Sequence, residues 1–177
     1  MPKKTDNTVK RVFLGFSLTP QQTAQVQAIQ QQLPKSVRLV PARNLHVTLA
    51  FLGQVNSSTL DALILAVDAL EKPGFAVSLD LVEHWQQPKI LCLKGQASDP
   101  SLISLANAGQ LLAKQLRLHQ SEHEFTPHIT LSRKAKMAVH NLSYVPLIMQ
   151  PTALHLFESF SGNNGVEYPI LHSWQLN

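Results

Sequence analysis

The tetrapeptide His-x-Thr-Leu occurs twice in this chain, at residues 46–49 and again at residues 128–131. The two copies are separated by close to half of the 177 residues. Each copy follows a segment with helical periodicity and a short connection, so the order helix, connection, strand is repeated. This repeat predicts two similar lobes that are related by an approximate twofold axis.

Alternation along a strand gives each copy a polar face and an apolar face. His46 and Thr48 point to one side of the first strand, and His128 and Thr130 point to one side of the second. If the two lobes bring these strands together, two imidazoles and two hydroxyls line a single groove. A lone histidine on a strand is ordinarily a packed side chain, whereas a matched pair with matched threonines indicates a site.

These side chains are suited to attack on a phosphodiester. An imidazole titrates near pH 6.5, so one histidine can accept a proton from water or a hydroxyl while the other donates one to the departing oxygen. Threonine hydroxyls can donate hydrogen bonds to the non-bridging phosphate oxygens. This chemistry requires no metal ion and no cofactor.

Hydrophobic periodicity and turn residues predict three helices and eight strands. Thr19-Pro20 and Asp99-Pro100 are typical helix starts, and Pro73-Gly74 is a typical helix end. The predicted helices cover residues 20–33, 58–71 and 100–118. The predicted strands cover residues 9–18, 37–40, 45–52, 75–85, 89–93, 128–133, 152–160 and 168–176, with a loop at 134–146.

The composition is that of an ordinary globular protein, with 44% hydrophobic and 15% charged residues. The longest apolar run, residues 62–67, is far shorter than the roughly 20 residues of a membrane helix, and the polar start has no signal-peptide core. We therefore expect a cytoplasmic monomer with no membrane contact. It folds as one bilobal domain over residues 1–177, with a flexible tail at residues 1–8.

The charge balance favours an anionic partner. Fifteen Lys and Arg residues against eleven Asp and Glu residues give a formal net charge of +4. A field of this sign attracts a phosphodiester, although basic runs such as residues 133–136 are more often solvated surface. The single cysteine, Cys92, lies in an alternating apolar stretch, which favours a buried and inert thiol.

The flanks of both motifs resemble a known family. Residues 44–53, Asn-Leu-His-Val-Thr-Leu-Ala-Phe-Leu-Gly, and residues 127–133, Pro-His-Ile-Thr-Leu-Ser-Arg, are similar to the two motifs of the two-histidine (2H) phosphoesterases. The resemblance is strongest to the bacterial RNA 2′,3′-cyclic phosphodiesterases, historically called 2′-5′ RNA ligases. It implies an α+β fold of two lobes, each an antiparallel sheet with helices on its outer side, around a central groove.

The same resemblance implies an activity and a role for each motif residue. Members open the 2′,3′-cyclic phosphate end of an RNA to a 2′-phosphomonoester, and some join a 5′-hydroxyl to such an end. His46 is then the proton donor to the leaving 3′ oxygen and His128 the proton acceptor, although spacing alone leaves the two interchangeable. Thr48, Thr130 and Arg133 are then substrate-binding residues.

Arg133 poses a geometric question. It lies five residues after His128, so strict alternation directs it to the opposite face unless the strand ends or twists first.

Two alternatives to this activity stay open at this point. Either the site accepts a small cyclic phosphate, such as an ADP-ribose cyclic phosphate or a cyclic nucleotide, or the protein binds RNA ends without turnover. His119 and His123, with Glu122 and Glu124, have the spacing of some zinc helices, but they follow the predicted helix end in a polar loop.

Overall fold

Three helices and eleven strands are present in the computed structural model, which describes residues 8–177. The helices are α1 (Pro20–Gln30), α2 (Ser57–Asp68) and α3 (Pro100–Gln115), and a single 3-10 turn covers Ala42–Asn44. The strands are β1 (Lys10–Ser17), β2 (Arg38–Leu39), β3 (His46–Val55), β4 (Val77–Trp85), β5 (Ile90–Gly95), β6 (His128–Arg133), β7 (Leu147–Met149), β8 (Ala153–Glu158), β9 (Phe160–Gly162), β10 (Gly165–Glu167) and β11 (Ile170–Gln175). The predicted tail at residues 1–8 lies outside the described residues except for Thr8.

The helix starts follow from side-chain caps. Thr19 forms a capping box with Gln22 at the start of α1, and Asp99 accepts a hydrogen bond from the Ser101 amide at the start of α3. Asn56 caps α2 by accepting from the Thr59 amide, so this helix begins one residue earlier than predicted. Both predicted Pro-containing starts are confirmed.

All three helices end about one turn earlier than the apolar periodicity predicts. At the end of α3, Arg117 adopts a left-handed conformation with φ of 55°, and the Leu118 amide donates to the carbonyl of Ala113. This is the bond pattern of a helix C-cap. Leu116 and Leu118 still pack against the core after the helix has ended, which is why the pattern extended the prediction.

The strands form an antiparallel sheet with the order β11-β8-β1-β3-β6-β5-β4-β7, and β2 pairs with the end of β6. The two halves of this sheet, four strands each, meet between β3 and β6 through a single residue pair. Each half is therefore a separate antiparallel unit that is joined to the other at the centre. The α+β fold of two similar lobes is confirmed, and whether the chain folds as one domain stays a prediction.

The pairing within the two lobes is equivalent. In the first lobe Phe16 pairs with Val47, and in the second Leu93 pairs with Ile129, so the motif strands have matching neighbours. Helix α1 follows β1 but packs on β6 and β7 of the second lobe, whereas α3 follows β5 and packs on β3 of the first. Each lobe thus supplies the helix that covers the other, opposite the motif face.

The C-terminal part departs most from the prediction. Strand β7 was not predicted, and the predicted strand 152–160 is two strands, because β8 ends at Glu158 and the chain turns into the hairpin β9–β10. The hairpin strands have three residues each and none of these residues is buried, so they carry no alternating hydrophobic pattern. None of the described helices is long and apolar enough to cross a bilayer.

Candidate active site

The two His-x-Thr segments lie side by side at the centre of the sheet. Val47 of β3 pairs with Ile129 of β6, which are the middle residues of the two copies, and the strands are antiparallel. This register places each histidine beside the threonine of the other copy. The middle residues are buried in the core, whereas the four polar side chains are half-buried on the other face: His46, Thr48, His128 and Thr130.

A glycine sets the close approach of strand β1 to the first motif. Gly15 pairs with Thr48, and a Cβ atom at Gly15 would collide with the carbonyl oxygen of Val47. In the second lobe the equivalent neighbour is Cys92, which pairs with Thr130. The two lobes therefore have equivalent backbone pairing at this position, but only the second lobe has room for a side chain there.

Both imidazoles are held in the same tautomer. The Nδ1–H of His46 donates to the carbonyl of Asn44 at 2.7 Å, and the Nδ1–H of His128 donates to the carbonyl of Thr126 at 2.8 Å. Because a carbonyl oxygen can only accept, each neutral ring carries its proton on Nδ1 and its lone pair on Nε2. The Nε2 of His46 accepts from the Thr48 hydroxyl at 3.2 Å.

The surroundings lower the pKa of both histidines. Burial is the main cause in each case, and the hydrogen bond to the backbone carbonyl opposes it. For His46 the charges of His128 and Arg133 lower the pKa further. Both rings are therefore neutral at neutral pH in the free protein, and each presents a basic Nε2 atom.

The two rings have different aromatic neighbours. The ring centroid of His46 lies 4.9 Å from that of Phe13 and 4.8 Å from that of Tyr168. The ring of His128 lies 4.5 Å from Trp85. Trp85 in turn donates through Nε1 to Glu83, which forms an ion pair with Lys94 at 2.8 Å.

A cavity of about 450 Å³ opens beside the first histidine. Among the described residues, its lining includes His46 and Thr130 but neither Thr48 nor His128. Four of the five arginines of the chain line it, and no acidic residue does: Arg11, Arg38, Arg43 and Arg133. The cavity is therefore a basic site with a volume typical of small-ligand pockets.

The hairpin β9–β10 forms one wall of this cavity and is fastened to the first motif. The side-chain Nδ2 of Asn44 donates to the carbonyl of Val166 at 2.8 Å. The backbone carbonyl of the same residue orients His46. Asn44 thus fixes both the histidine and the cavity wall.

A β-bulge brings Arg133 to the groove. Opposite β5, the pairing shifts by one residue between Thr130 and Ser132, and the consecutive residues Leu131 and Ser132 are both buried. The extra residue reverses the alternation, so Arg133 projects to the same face as the motif side chains and lines the cavity with His46. Strict alternation of side chains along β6 therefore does not extend to Arg133, because the bulge precedes it.

The other chemistry-bearing residues lie apart from the groove. Cys92 is fully buried, and burial raises the pKa of its thiol to about 12, as expected for an inert side chain. Residues 119–124 form an exposed loop. Within residues 8–177, no three His, Cys, Asp or Glu side chains are grouped to hold a metal ion.

Several residues around the site were not predicted, namely Asn44, Trp85, Tyr168, Arg38 and Arg43. Only Asn44 had a signal, as a flank of the first motif. Arg43 lies next to that flank but belongs to no sequence pattern. Arg38, Trp85 and Tyr168 reach the site through contacts between segments distant in sequence, such as the pairing of β2 with β6, which periodicity within one segment does not contain.

Matched half-sheets that place two His-x-Thr segments across a central seam define a two-histidine phosphoesterase. The sequence model of the family described as LigT-like phosphoesterases matches residues 17–91. An RNA 2′,3′-cyclic phosphodiesterase of Escherichia coli (strain K12) is 35% identical over 149 residues, which are 81% of this chain and 82% of that protein. The chain belongs to the LigT-like phosphoesterase family.

Solved structures agree over nearly the whole chain. The crystal structure of E. coli LigT complexed with 3′-AMP has a TM-score of 0.87 and 31% identity, and the match covers 96% of this chain and 99% of that one. The crystal structure of a Thermus thermophilus protein, TT0787, has a TM-score of 0.78 at 23% identity, with 94% and 97% covered, and shows the fold alone.

Proposed function

We propose that the protein hydrolyses RNA 2′,3′-cyclic phosphate ends to 2′-phosphomonoesters by acid–base catalysis with two histidines. The pairing of Val47 with Ile129 carries this proposal, because it places two imidazoles of the same tautomer and two hydroxyls on one face of the sheet. The basic cavity beside them suits a nucleotide. The activity of the E. coli relative supports the choice of RNA as the substrate.

In the proposed reaction, the Nε2 atom of His128 accepts a proton from water as the water oxygen attacks phosphorus. The bond from phosphorus to the 3′ oxygen breaks, and His46, protonated on Nε2, donates that proton to the leaving oxygen. His46 ends neutral and His128 ends protonated, so proton exchange with solvent restores the pair. We propose that no metal ion takes part.

The position of the cavity supports the assignment of donor and acceptor. Attacking and leaving oxygens lie roughly in line on opposite sides of phosphorus. The leaving oxygen carries the whole nucleoside, which needs room, whereas the attacking water does not. Since the cavity is lined by His46 and not by His128, the nucleoside lies on the side of His46, and His46 is the proton donor.

The negative charge of the bound substrate raises the pKa of His46, the proposed proton donor. Arg133 lowers the pKa of His46 in the free protein. A bound phosphate neutralises this arginine and favours the protonated imidazole, which raises that pKa again. Once Nε2 carries a proton it no longer accepts from Thr48, so the Thr48 hydroxyl can donate to the phosphate, as Thr130 does from the other strand.

The direct test is product analysis. Chelator-treated protein is incubated with an oligoribonucleotide that ends in a 2′,3′-cyclic phosphate, and the product is compared with 2′-phosphate and 3′-phosphate standards by mass spectrometry and phosphorus NMR. We expect the 2′-phosphate, with loss of turnover in folded His46→Ala and His128→Ala. Full activity in both variants, or binding without turnover, would contradict the proposal.

The same site supports ligation. If the 5′-hydroxyl of an RNA takes the place of the attacking water, His128 accepts its proton as the bond to phosphorus forms, His46 protonates the leaving 3′ oxygen, and a 2′-5′ linkage results. We propose ligation as a minor activity, tested with a 5′-hydroxyl oligonucleotide in excess over the cyclic end. Absence of a joined product at substrate saturation would restrict the enzyme to hydrolysis.

We further propose that the protein acts as a cytoplasmic monomer and as one folded domain over residues 1–177. Both histidines come from one chain, and each lobe is covered by the helix that follows a strand of the other. Light scattering after gel filtration tests the monomer, cell fractionation tests the location, and a single unfolding transition by two probes tests the one domain.

A further inference from the structure

Two arginines oppose each other on the wall of the cavity. In the pairing of β2 with β6, Arg38 lies directly opposite Arg133. Side chains at directly opposed positions of an antiparallel pair share a face, and like charges there repel each other. Both side chains are exposed, and both line the cavity.

No carboxylate of the described residues offsets this repulsion. The ion pairs in residues 8–177 join Lys10 to Glu158 and Lys94 to Glu83, and neither contains an arginine. The cavity lining has no acidic residue and no lysine. Guanidinium groups bind phosphate through two parallel hydrogen bonds, so a bound phosphate is the partner that this pair fits.

One phosphate does not account for both arginines. The reacting phosphate lies between the two histidines, and Arg133 is close enough for its charge to affect His46. Arg133 is three residues beyond Thr130, about 10 Å along β6 at the usual rise of a strand. Arg38 is on β2, directly opposite Arg133 and therefore equally far beyond the motif along β6, and its charge is not among those that lower the pKa of His46. A nucleoside in the cavity, with its cyclic phosphate at the histidines, extends its 5′ oxygen away from them.

We propose that Arg38 binds the phosphate on the 5′ side of the terminal nucleotide. The preferred substrate is then a cyclic phosphate end that carries at least one further phosphate, rather than a nucleoside 2′,3′-cyclic phosphate. This inference rests on the proposed hydrolysis, and it names the substrate class that the same cavity takes. Arg38 binds and does not take part in the bond-breaking step.

The test compares three substrates: a nucleoside 2′,3′-cyclic phosphate, the same compound with a 5′-phosphate, and the dinucleotide with the same cyclic end. We expect wild-type kcat/KM to be about tenfold higher for the two substrates with the additional phosphate. Arg38→Ala removes most of this preference through KM, and Arg38→Lys keeps part of it. The preference decreases as salt is added, since it depends on charge.

Arg117→Ala is the matched control, because Arg117 is the one arginine outside the cavity lining. It leaves the ratio of kcat/KM values as in the wild type.

Thermal denaturation tests whether Arg38 has a structural role in addition to the proposed binding role. Removing one of two repelling charges leaves the melting temperature of Arg38→Ala equal or higher, whereas a structural role for Arg38 would lower it.

The outcomes separate the subsite from the proposed function. Equal wild-type kcat/KM for all three substrates, or the same loss on each in Arg38→Ala, would overturn the subsite while the hydrolysis stands. A preference for the dinucleotide alone would mean contact with the second nucleoside, and would also overturn it. If none is cleaved, the hydrolysis fails, and the binding constants of the three compounds for wild type and Arg38→Ala then decide the subsite.

Discussion

The two halves of the groove have the same backbone and different surroundings. Around His46 lie Phe13, Tyr168, the β9–β10 hairpin and the arginine-lined cavity. Around His128 lie Trp85 and the ion pair that holds it. The symmetric part supplies two equivalent imidazoles, and the asymmetric part determines on which side a nucleoside fits. The symmetric backbone thus supplies the two groups that transfer protons, and their different surroundings determine which histidine donates and which accepts.

The largest effect is expected from removal of either imidazole. His46→Ala and His128→Ala should each lower kcat by about 10²- to 10⁴-fold, the usual contribution of a positioned acid or base. The double variant should lose little more than either single variant, because the two act in one step. Steady-state kinetics on folded protein tests this, and multiplicative losses would show that the histidines act independently.

Stability should distinguish the two strands that flank the motifs. Gly15→Ala places a Cβ against the Val47 carbonyl and should cost about 1–3 kcal/mol of unfolding free energy. Cys92→Ala at the equivalent position removes only a buried sulfur and should cost about 1 kcal/mol. Urea denaturation measures both. An unchanged free energy of unfolding in Gly15→Ala would show that the first lobe tolerates a side chain there.

Replacement of Trp85 should change the pKa of His128 and leave that of His46 unchanged. Trp85→Ala admits water to His128 and releases its ring, so we expect about a tenfold decrease in kcat and a higher pKa of His128. Trp85→Phe keeps a ring in place and is the control. NMR titration measures the pKa of both histidines. An equal change in the pKa of His46 would contradict an effect restricted to His128.

The smallest expected effect is a change in the pKa of His46. The charge of Arg133 lowers the pKa of His46, so Arg133→Gln should raise it in the free protein and leave that of His128 nearly constant. Protonated His46 then persists to higher pH. The alkaline limb of kcat/KM should therefore move up while the acidic limb, set by His128, stays. Movement of the acidic limb alone would reverse the two roles.

The motif face and the helix starts could be predicted because they depend on neighbours in sequence. Alternation placed His46 and Thr48 on one side, and Thr19 and Asp99 cap their helices within the next residues. The β-bulge before Arg133 could not be predicted, since it is defined by the register against β5. Opposition of Arg38 and Arg133 depends on a pairing between strands that lie almost 100 residues apart.

The order of the proton transfers is tested most directly by changing the leaving atom. A 2′,3′-cyclic phosphate with sulfur in place of the 3′ oxygen releases a thiolate, which needs no proton because a thiol is far more acidic than an alcohol. We predict that His46→Ala, inactive on the oxygen substrate, recovers most of its activity on the sulfur substrate, while His128→Ala recovers none. Recovery in His128→Ala instead, or in neither variant, would contradict the assignment of His46 as the donor on the cavity side.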